Sequence, residues 1–304
     1  MAARDVGKLQ TRVLSWFDEH GRAFPWRENR DAYATMVAEV MLQQTQTGRV
    51  GPSYEAFLQR FPTTRALAHA PAMDVISAWK GLGYNKRAVN LQRAAQIIES
   101  EFGGVVPDDP GVLRKLPGMG DYTANAIACT AYDAQVPVLD VNVTRVLSRL
   151  SYGSDPDGVD KRQLQTAAEN LLPVGHAWRW NQALMDIGAT LCRFDQPLCA
   201  QCPLKVSCAF RAAGKNKVPR AARVPKEPFE GSRRQKRGNI VDALRDAAAE
   251  GITLKALANA MHHERDDDLR WLVELLEGLA SDGLVEMTPA ARKGNARGKV
   301  RLPR

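Results

Sequence analysis

The sequence predicts a mainly α-helical protein in which a large helical domain precedes a smaller C-terminal unit. In residues 1 to about 213, apolar residues recur at spacings of three and four, as in VGKLQTRVLSWFDEH and AVNLQRAAQIIESEF. This is the period of an amphipathic helix. Turn signals such as FPTTRA and FGGVVPDDPG separate these segments, and alternating strand patterns are scarce. Many helices joined by short breaks predict an all-α, multi-helix domain.

Residues 239–304 have a different pattern. Three helical stretches precede two short strand candidates, LVEMT and KVRLP, and this order is typical of a winged-helix module. The segment ARKGNARG would be its basic wing. We therefore predict a helical domain at 1–213, a linker at 214–238 and a winged-helix-like module at 239–304.

The predicted linker is strongly basic. It contains nine lysines and arginines against two glutamates, within a chain of net charge +8. Such a segment favours contact with phosphates, although a solvated linker that only keeps the protein soluble would have the same composition.

Length and composition exclude several classes of protein. The chain of 304 residues can form two domains, and no apolar run is long enough to span a bilayer. Its first residues, MAARDVGKLQ, lack the apolar core of a signal peptide. We therefore expect a monomer in the cytoplasm, associated with the nucleoid if bacterial, with reduced thiols and no membrane partner.

Four of the five cysteines lie close together with the spacing C-x6-C-x2-C-x5-C. They are Cys192, Cys199, Cys202 and Cys208. Four thiolates can hold a [4Fe–4S] cluster or a zinc ion. Zinc sites of four cysteines usually pair two short knuckles, and only Cys199 and Cys202 form one here. The spacing therefore favours the cluster over zinc.

The stretch LRKLPGMGDYTANAIAC predicts two helices joined by a tight turn. Gly118 and Gly120 let the backbone of this turn approach another molecule closely. Free amides at the start of the second helix suit an anion. A helix-hairpin-helix of this kind indicates sequence-independent binding to a DNA backbone, although an ordinary corner between two helices can also contain these glycines.

Two carboxylates are candidates for acid–base chemistry. Glu39 lies among apolar residues in TMVAEVMLQQTQT, where burial would raise its pKa and let it hold a proton near neutral pH. A glutamate on the polar side of a helix is the alternative. Asp140 lies between an apolar run and a helix, where a plain N-cap is the alternative to a catalytic role. Asn142 is its polar companion.

Taken together, these features resemble the helix-hairpin-helix DNA glycosylases with an iron–sulfur cluster, and within them the adenine DNA glycosylases of the MutY family. The resemblance spans about residues 8 to 212. The stretches that carry it are FPWR, EVMLQQTQ, WKGLGYNKRAVNL, LPGMGDYTANAI, VPVLDVNVTRV, NQALMDIGATLC and the four cysteines.

The resemblance implies a role for each matching residue. Glu39 would protonate the adenine ring and activate water, and Asp140, assisted by Asn142, would stabilise the cationic sugar. Tyr122 stands where strand-cleaving relatives carry a lysine that forms a Schiff base, so we expect a monofunctional enzyme. The cluster cysteines would hold [4Fe–4S].

The same resemblance places the DNA and base contacts. Trp26 and Arg27 would form the edge of the adenine pocket. Gln43, Gln44 and Thr45 would wedge into the duplex, Tyr84 would intercalate beside the damaged guanine, and Gly118 and Gly120 would supply phosphate-binding amides.

This chain departs from the family pattern at two places. Many relatives carry a second tyrosine where this chain has Asn85, and a larger Nudix-like C-terminal domain where residues 239–304 stand here. The leading hypothesis is a repair enzyme that removes adenine mispaired with 8-oxoguanine or guanine in double-stranded DNA. The alternatives are a mismatch thymine/uracil glycosylase on the same scaffold and a non-catalytic, zinc-containing DNA-binding protein.

Overall fold

A computed structural model describes residues 3–214, 228–247, 250–261 and 269–304. Most of the predicted basic linker, residues 215–227, lies outside the described residues. The described chain divides into two compact units. The first unit comprises residues 3–36, 107–115 and 119–214, and the second comprises 37–106, 116–118 and the described residues from 228 onward.

The described residues are mainly helical, which agrees with the periodicity of the sequence. The helices are α1 Ala3–His20, α2 Pro25–Glu28, α3 Ala32–Leu42, α4 Thr47–Arg60, α5 Thr64–His69, α6 Ala72–Ala78, α7 Lys86–Phe102, α8 Pro110–Leu113, α9 Asp121–Tyr132, α10 Val141–Leu147, α11 Lys161–Leu171, α12 Ala177–Thr190, α13 Ala209–Ala212, α14 Arg233–Arg245, α15 Leu254–Ala260, α16 Arg270–Ser281 and α17 Pro289–Arg292. A π-helical turn covers Ser148–Tyr152, and a 3-10 turn covers Pro156–Gly158.

The core of the first unit forms where α1, α10, α11 and α12 meet. Leu9 and Val13 of α1, four residues apart, pack in one cluster with Val146 of α10 and with Trp180 and Ile187 of α12. All five are nearly inaccessible to solvent. The spacing of four residues in α1 and seven in α12 places each pair on one face of its helix, as the sequence predicts.

The π-helical turn continues directly from α10. A π turn accommodates one residue more than an α turn and often marks a functional site. Here it places Arg149 inside the first unit, where the residue is 1% exposed. Gly153, with φ of 63°, ends the turn.

The second unit combines helices α4 to α7 with the C-terminal module. In the module, α14, α15 and α16 precede the strand pair β2 Glu286–Met287 and β3 Lys299–Arg301, which is the predicted order. A further short strand, β1 Ile252–Thr253, completes a three-stranded antiparallel sheet of order β1-β3-β2. Among the described residues, strands occur only here.

One boundary differs from the sequence prediction. Helix α14 begins at Arg233, with the Ser232 side chain accepting a hydrogen bond from the Gln235 amide, so the last residues of the predicted linker are helical. The sequence did not indicate this start, because the run RRQKR has no apolar residues whose periodicity could predict a helix. The division at 213 stays a prediction.

Candidate functional site

The helix-hairpin-helix turn has the backbone that its glycines predict. Gly118 adopts a φ of 77°, and a Cβ there would lie 3.0 Å from the Cβ of Asn90. Gly120 caps α9 without a side chain, and a Cβ there would meet no atom within 4 Å. The amides at the start of α9 are therefore approachable, as an anion site requires.

Two non-glycine residues predicted to contact DNA have left-handed backbones. Gln44, which follows α3, has a φ of 56°, and Tyr84, which precedes α7, has a φ of 46°. Both are exposed. Residues with a Cβ rarely adopt this backbone conformation, because it is sterically strained. Such strain is found mostly at binding and catalytic sites.

Arg87 ties the loops of these two residues together. The side chain is buried, and its two terminal nitrogens donate hydrogen bonds of 2.6 to 3.0 Å. Its acceptors are Val40, Met41, Gln43, Thr45, Leu82 and Gly83. Burial lowers the pKa of Arg87 to about 10, so it stays charged at neutral pH. The Gln43 side chain also donates to the Gly118 carbonyl at 3.2 Å, which places the hairpin turn next to the loop that follows α3.

Glu39 lies in the buried stretch of α3 and is 7% exposed. Its neighbours Val37, Val40 and Met41 are also buried, as the sequence predicts. Glu39 belongs to the second unit and Asp140 to the first, so their convergence on one substrate stays a prediction.

Asp140 is both a helix cap and the centre of a polar network. One carboxylate oxygen accepts a 2.6 Å hydrogen bond from the Val143 amide at the start of α10, and the other accepts a 2.9 Å bond from the Asn142 side chain. Arg145 in turn donates to the Asn142 side-chain oxygen at 2.8 Å. Burial raises the pKa of Asp140, while these hydrogen bonds and the charge of Arg145 lower it in part.

Arg145 also joins this network to the cysteine segment. It donates to the carbonyl of Cys192 at 2.7 Å and to that of Gly188 at 2.7 Å. Gly188 of α12 leaves room for Asn142, because a Cβ there would lie 2.6 Å from the Asn142 Cβ. The backbone of Cys192 is thus two side chains away from the Asp140 carboxylate.

Trp26 and Arg27 lie in the first unit on α2. Trp26 is buried and stacks on Phe24, with ring centroids 4.8 Å apart. Arg27 donates to both carboxylate oxygens of the fully buried Asp186, at 2.8 and 2.9 Å. Burial by itself would raise the pKa of Asp186, but the hydrogen bonds from Arg27 and from the Arg22 amide outweigh burial, and the pKa is lowered. This pairing fixes Arg27 in place.

The four clustered cysteines line one cavity in the first unit, together with Arg149 and Phe210. Within the described ranges, no three His, Cys, Asp or Glu side chains form a group that could hold a metal ion. Burial raises the pKa of the Cys192 thiol, and it raises that of Cys202 to about 12. Thiolates at these positions therefore need compensating positive charge. The four cysteines that line this cavity match an iron–sulfur cluster in the number and the type of their donor atoms.

Arg149 supplies part of that charge. One terminal nitrogen lies 3.7 Å from the sulfur of Cys192 and 2.8 Å from the carbonyl of Arg193, and the guanidinium also pairs with Asp155 at 2.7 Å. Cys208 donates its thiol to the Arg149 carbonyl at 3.6 Å. The guanidinium of Arg149 thus lies against the first cysteine of the motif, and its backbone carbonyl contacts the last.

The remaining predicted residues fall into separate places. Tyr122 is half-buried on α9 and packs beside Cys129, which is buried and accepts a hydrogen bond from Asn181. The structure thus groups Gln43, Thr45 and Gly118 in the second unit, and Asp140 with Asn142 in the first.

Sequence reasoning missed four residues that hold these groups. They are Arg87, Arg145, Arg149 and Asp186. Each is a charged residue next to apolar residues in a helical segment, and charged residues are rarely buried unless paired. That position within an apolar pattern is the signal that could have found them.

Comparison with known proteins gives concordant matches. Residues 37–173 match the model of the HhH-GPD superfamily base excision DNA repair proteins. The adenine DNA glycosylase of Mycolicibacterium smegmatis is 40% identical over 287 residues, which cover 92% of this chain and 93% of the relative. The human adenine DNA glycosylase is 40% identical over 222 residues, covering 68% of this chain and 41% of the relative.

Solved structures share the fold. A thermostable thymine-DNA glycosylase matches with a TM-score of 0.65 and 28% identity, covering 69% of this chain and 98% of that one. Endonuclease III in a non-covalent DNA complex matches with a TM-score of 0.61 and 20% identity, covering 71% and 100%. In the described ranges, no helix has the length and apolar character of a membrane span.

Proposed function

Because this chain belongs to the adenine DNA glycosylase family, we propose that it removes adenine mispaired with 8-oxoguanine or guanine. Its reaction is hydrolysis of the N-glycosidic bond of adenine in base-excision repair. The family, the fold class and the enzymatic activity predicted from the sequence are confirmed by the matches. Neither predicted alternative, a thymine/uracil glycosylase or a non-catalytic zinc protein, gains support from them.

The reaction needs an acid for the departing base and an anion for the positively charged sugar, much as glycoside hydrolysis does. We assign the first task to Glu39, which would protonate the extruded adenine and then activate water. We assign the second to Asp140, whose carboxylate would face the cationic sugar. The target nucleotide must leave the base stack to reach these groups.

The arrangement around Asp140 is the observation that carries this mechanism. Two donors hold its carboxylate in place, and its pKa is raised by burial but held down by Asn142 and Arg145. An anion kept in place in a poorly solvated site stabilises a developing positive charge more strongly than one in water. A helix cap alone would not need the second donor or the arginine behind it.

DNA binding would use the other predicted residues. Gly118 and Gly120 would bring backbone amides to a phosphate, while Gln43, Gln44 and Thr45 would enter the duplex beside Tyr84. Arg87, which joins the loops of Gln44 and Tyr84, supports their action as one wedge. Tyr122 cannot form a Schiff base, so the product would be an abasic site in an intact strand.

The donor set fits a [4Fe–4S] cluster held by the four cysteines that line the cavity, with Arg149 beside them. Such a cluster would fix the loop that contains these cysteines. Iron and sulfide analysis with visible absorption of freshly purified protein tests this. Zinc without iron would refute it.

The experiment that tests the function is a single-turnover assay on four duplexes, with A opposite 8-oxoguanine, A opposite G, T opposite G and U opposite G. We expect fast release of adenine alone, with strand cleavage only after alkali. The Asp140→Asn variant should release adenine at least about a hundredfold more slowly while still binding the duplex, since one group that stabilises charge is lost. Faster release of T or U, or equal activity of the variant, would overturn the proposal.

A further inference from the structure

The C-terminal module shares one hydrophobic core with helices α6 and α7. Ile76 of α6 and Val89 of α7 pack in the same buried cluster as Ile240 of α14 and Leu272 and Leu276 of α16. All five are at most 7% exposed. The module is therefore a packed part of the second unit and lies close to the loop that ends at Asn85.

Arg245, the last residue of α14, anchors the module at that loop. Two of its nitrogens donate to the Ile76 carbonyl, at 3.1 and 2.7 Å, and one also donates to the Asn85 side-chain oxygen at 3.0 Å. Asp242 pairs with the same guanidinium. Asn85 stands where many relatives carry a second tyrosine, and here its side chain faces an arginine of the module.

Arg234, at the start of the same helix, reaches the neighbouring residue Tyr84. One of its terminal nitrogens donates to the phenol oxygen at 2.7 Å. Its guanidinium carbon lies 5.5 Å from the centre of the Tyr84 ring and 4.8 Å from that of the Phe229 ring. Tyr84 is 43% exposed and Phe229 55% exposed. Phe229, Arg234 and Tyr84 thus form a solvent-facing stack, called here the Tyr84 stack.

Stability alone does not explain this stack. Cation–aromatic contacts at exposed positions contribute little to folding, and both rings leave apolar surface in water. Tyr84 also keeps a left-handed backbone at the exposed end of its loop. Exposed rings next to a guanidinium are the usual means by which proteins stack on nucleic-acid bases and neutralise phosphates.

We propose that Arg234 is a positioning and specificity residue, which holds Tyr84 in orientation as its ring enters the duplex beside the base opposite the target adenine. This inference rests on the proposed function, in which Tyr84 intercalates. Because the phenol oxygen accepts the bond from Arg234, its own proton can be donated to a different acceptor, which in the bound complex would lie on DNA. The module thereby takes part in recognising the opposite base.

The test compares Arg234→Gln with Arg233→Gln. The control removes the same charge one residue earlier, where the arginine pairs with Glu274 at 2.9 Å instead of touching Tyr84. Two quantities are measured: the ratio of adenine-release rates opposite 8-oxoguanine and opposite G, and the fluorescence of 2-aminopurine placed beside the opposite base. Insertion of a ring next to 2-aminopurine changes its stacking and therefore its emission.

We expect Arg234→Gln to change the rate ratio about fivefold, the effect of one hydrogen bond, and to lose most of the fluorescence change. Arg233→Gln should leave the rate ratio and the fluorescence change unaltered. Both variants lose one positive charge, so any loss of duplex affinity from that charge should be the same in the two. Arg234→Lys, which retains a donor for the phenol oxygen, should recover part of the effect. Identical behaviour of the Gln variants at 234 and 233 would overturn the inference.

A double-mutant cycle with Tyr84→Phe identifies the route of the effect, because this change removes only the phenol oxygen. If Arg234 acts through that oxygen, Arg234→Gln has no further effect in the Tyr84→Phe protein. A full, additive effect there would refute positioning through Tyr84. Circular dichroism confirms that each variant is folded. If the unaltered protein released no adenine, the proposed function would fail, which is a different result from failure of Arg234 alone.

Discussion

At the scale of single residues, Asp140 has a structural task as a helix cap, and we propose a chemical task for it as well. The carboxylate oxygen that caps α10 needs only the Val143 amide, whereas the second oxygen is held by Asn142, which Arg145 fixes in turn. The sequence could indicate the cap and the polar companion because both lie within two residues. It could not indicate Arg145, whose other partners belong to a segment more than forty residues away.

Arg145 makes the activity depend on pH in a defined direction. Burial raises the pKa of Asp140 and the charge of Arg145 lowers it, so Arg145→Met should raise it further. In the proposed mechanism Asp140 must be ionised to stabilise the sugar, and the acid limb of the rate profile should therefore move to higher pH. Single-turnover rates across pH measure this, with Arg162→Met, an exposed change in the same unit, as the control. An unmoved acid limb would contradict the role of Arg145.

Arg87 should be the most costly single residue to change in the second unit. Lysine keeps the charge but cannot reach the six acceptors that the planar guanidinium holds, so buried carbonyls lose their donors. We expect Arg87→Lys to cost about 2–4 kcal/mol and to slow adenine release. Thermal unfolding measures it, and Arg93→Lys, an exposed change on the same helix, should leave the midpoint nearly unaltered. Equal midpoints for the two variants would refute this.

At the scale of elements, the hairpin before α9 was the most predictable part of the site. Pro117, Gly118 and Gly120 together indicate a tight turn, and at Gly118 the positive φ is one that few other residues tolerate. The start of α14 was less predictable, since a run of charges covers it. The π-helical turn could not be predicted, because SRLSY has no local signal for an inserted residue and only the packing of Arg149 requires it.

The two glycines of the hairpin should respond differently to alanine. At Gly118 the positive φ and the nearby Asn90 side chain make Gly118→Ala destabilising, by about 1–2 kcal/mol. At Gly120 neither obstacle exists, so Gly120→Ala should fold normally and instead weaken DNA binding through its added methyl group. Thermal unfolding and duplex affinity, measured on both variants, separate the effects. If Gly118→Ala lowered duplex affinity as much as Gly120→Ala does and left the unfolding midpoint unchanged, the turn would not require glycine at position 118.

At the scale of the whole molecule, the sequence indicated a C-terminal module but not its attachment. Periodicity showed that α14 and α16 each have an apolar face, yet which partner covers that face depends on contacts between distant segments. Here those partners include Ile76 and Val89 of the helical region. The predicted boundary at 239 followed the composition, whereas the compact units follow the packing.

This packing predicts the result of truncation. A chain ending at Gly214 would expose Ile76 and Val89 and leave the Ile76 carbonyl without Arg245. We expect a lower unfolding midpoint and binding of a hydrophobic dye such as ANS, because newly exposed apolar surface is costly. The full-length protein is the control. A shortened chain with the same midpoint and no dye binding would show that the module is an independent appendage.

The π-helical turn has one more consequence, which concerns the phase of the helix. Each residue of an α-helix advances the winding by about 100°. Because a π turn takes one residue more to cover about the same rotation as an α turn, deleting one residue between Ser148 and Tyr152 would restore regular winding and leave the later side chains close to their present direction, whereas a deletion inside α10 would rotate them by that angle. A single deletion inside α10 should therefore lower the unfolding midpoint more than a deletion in the turn that keeps Arg149, and a scan of single deletions along α10 and the turn would measure the difference.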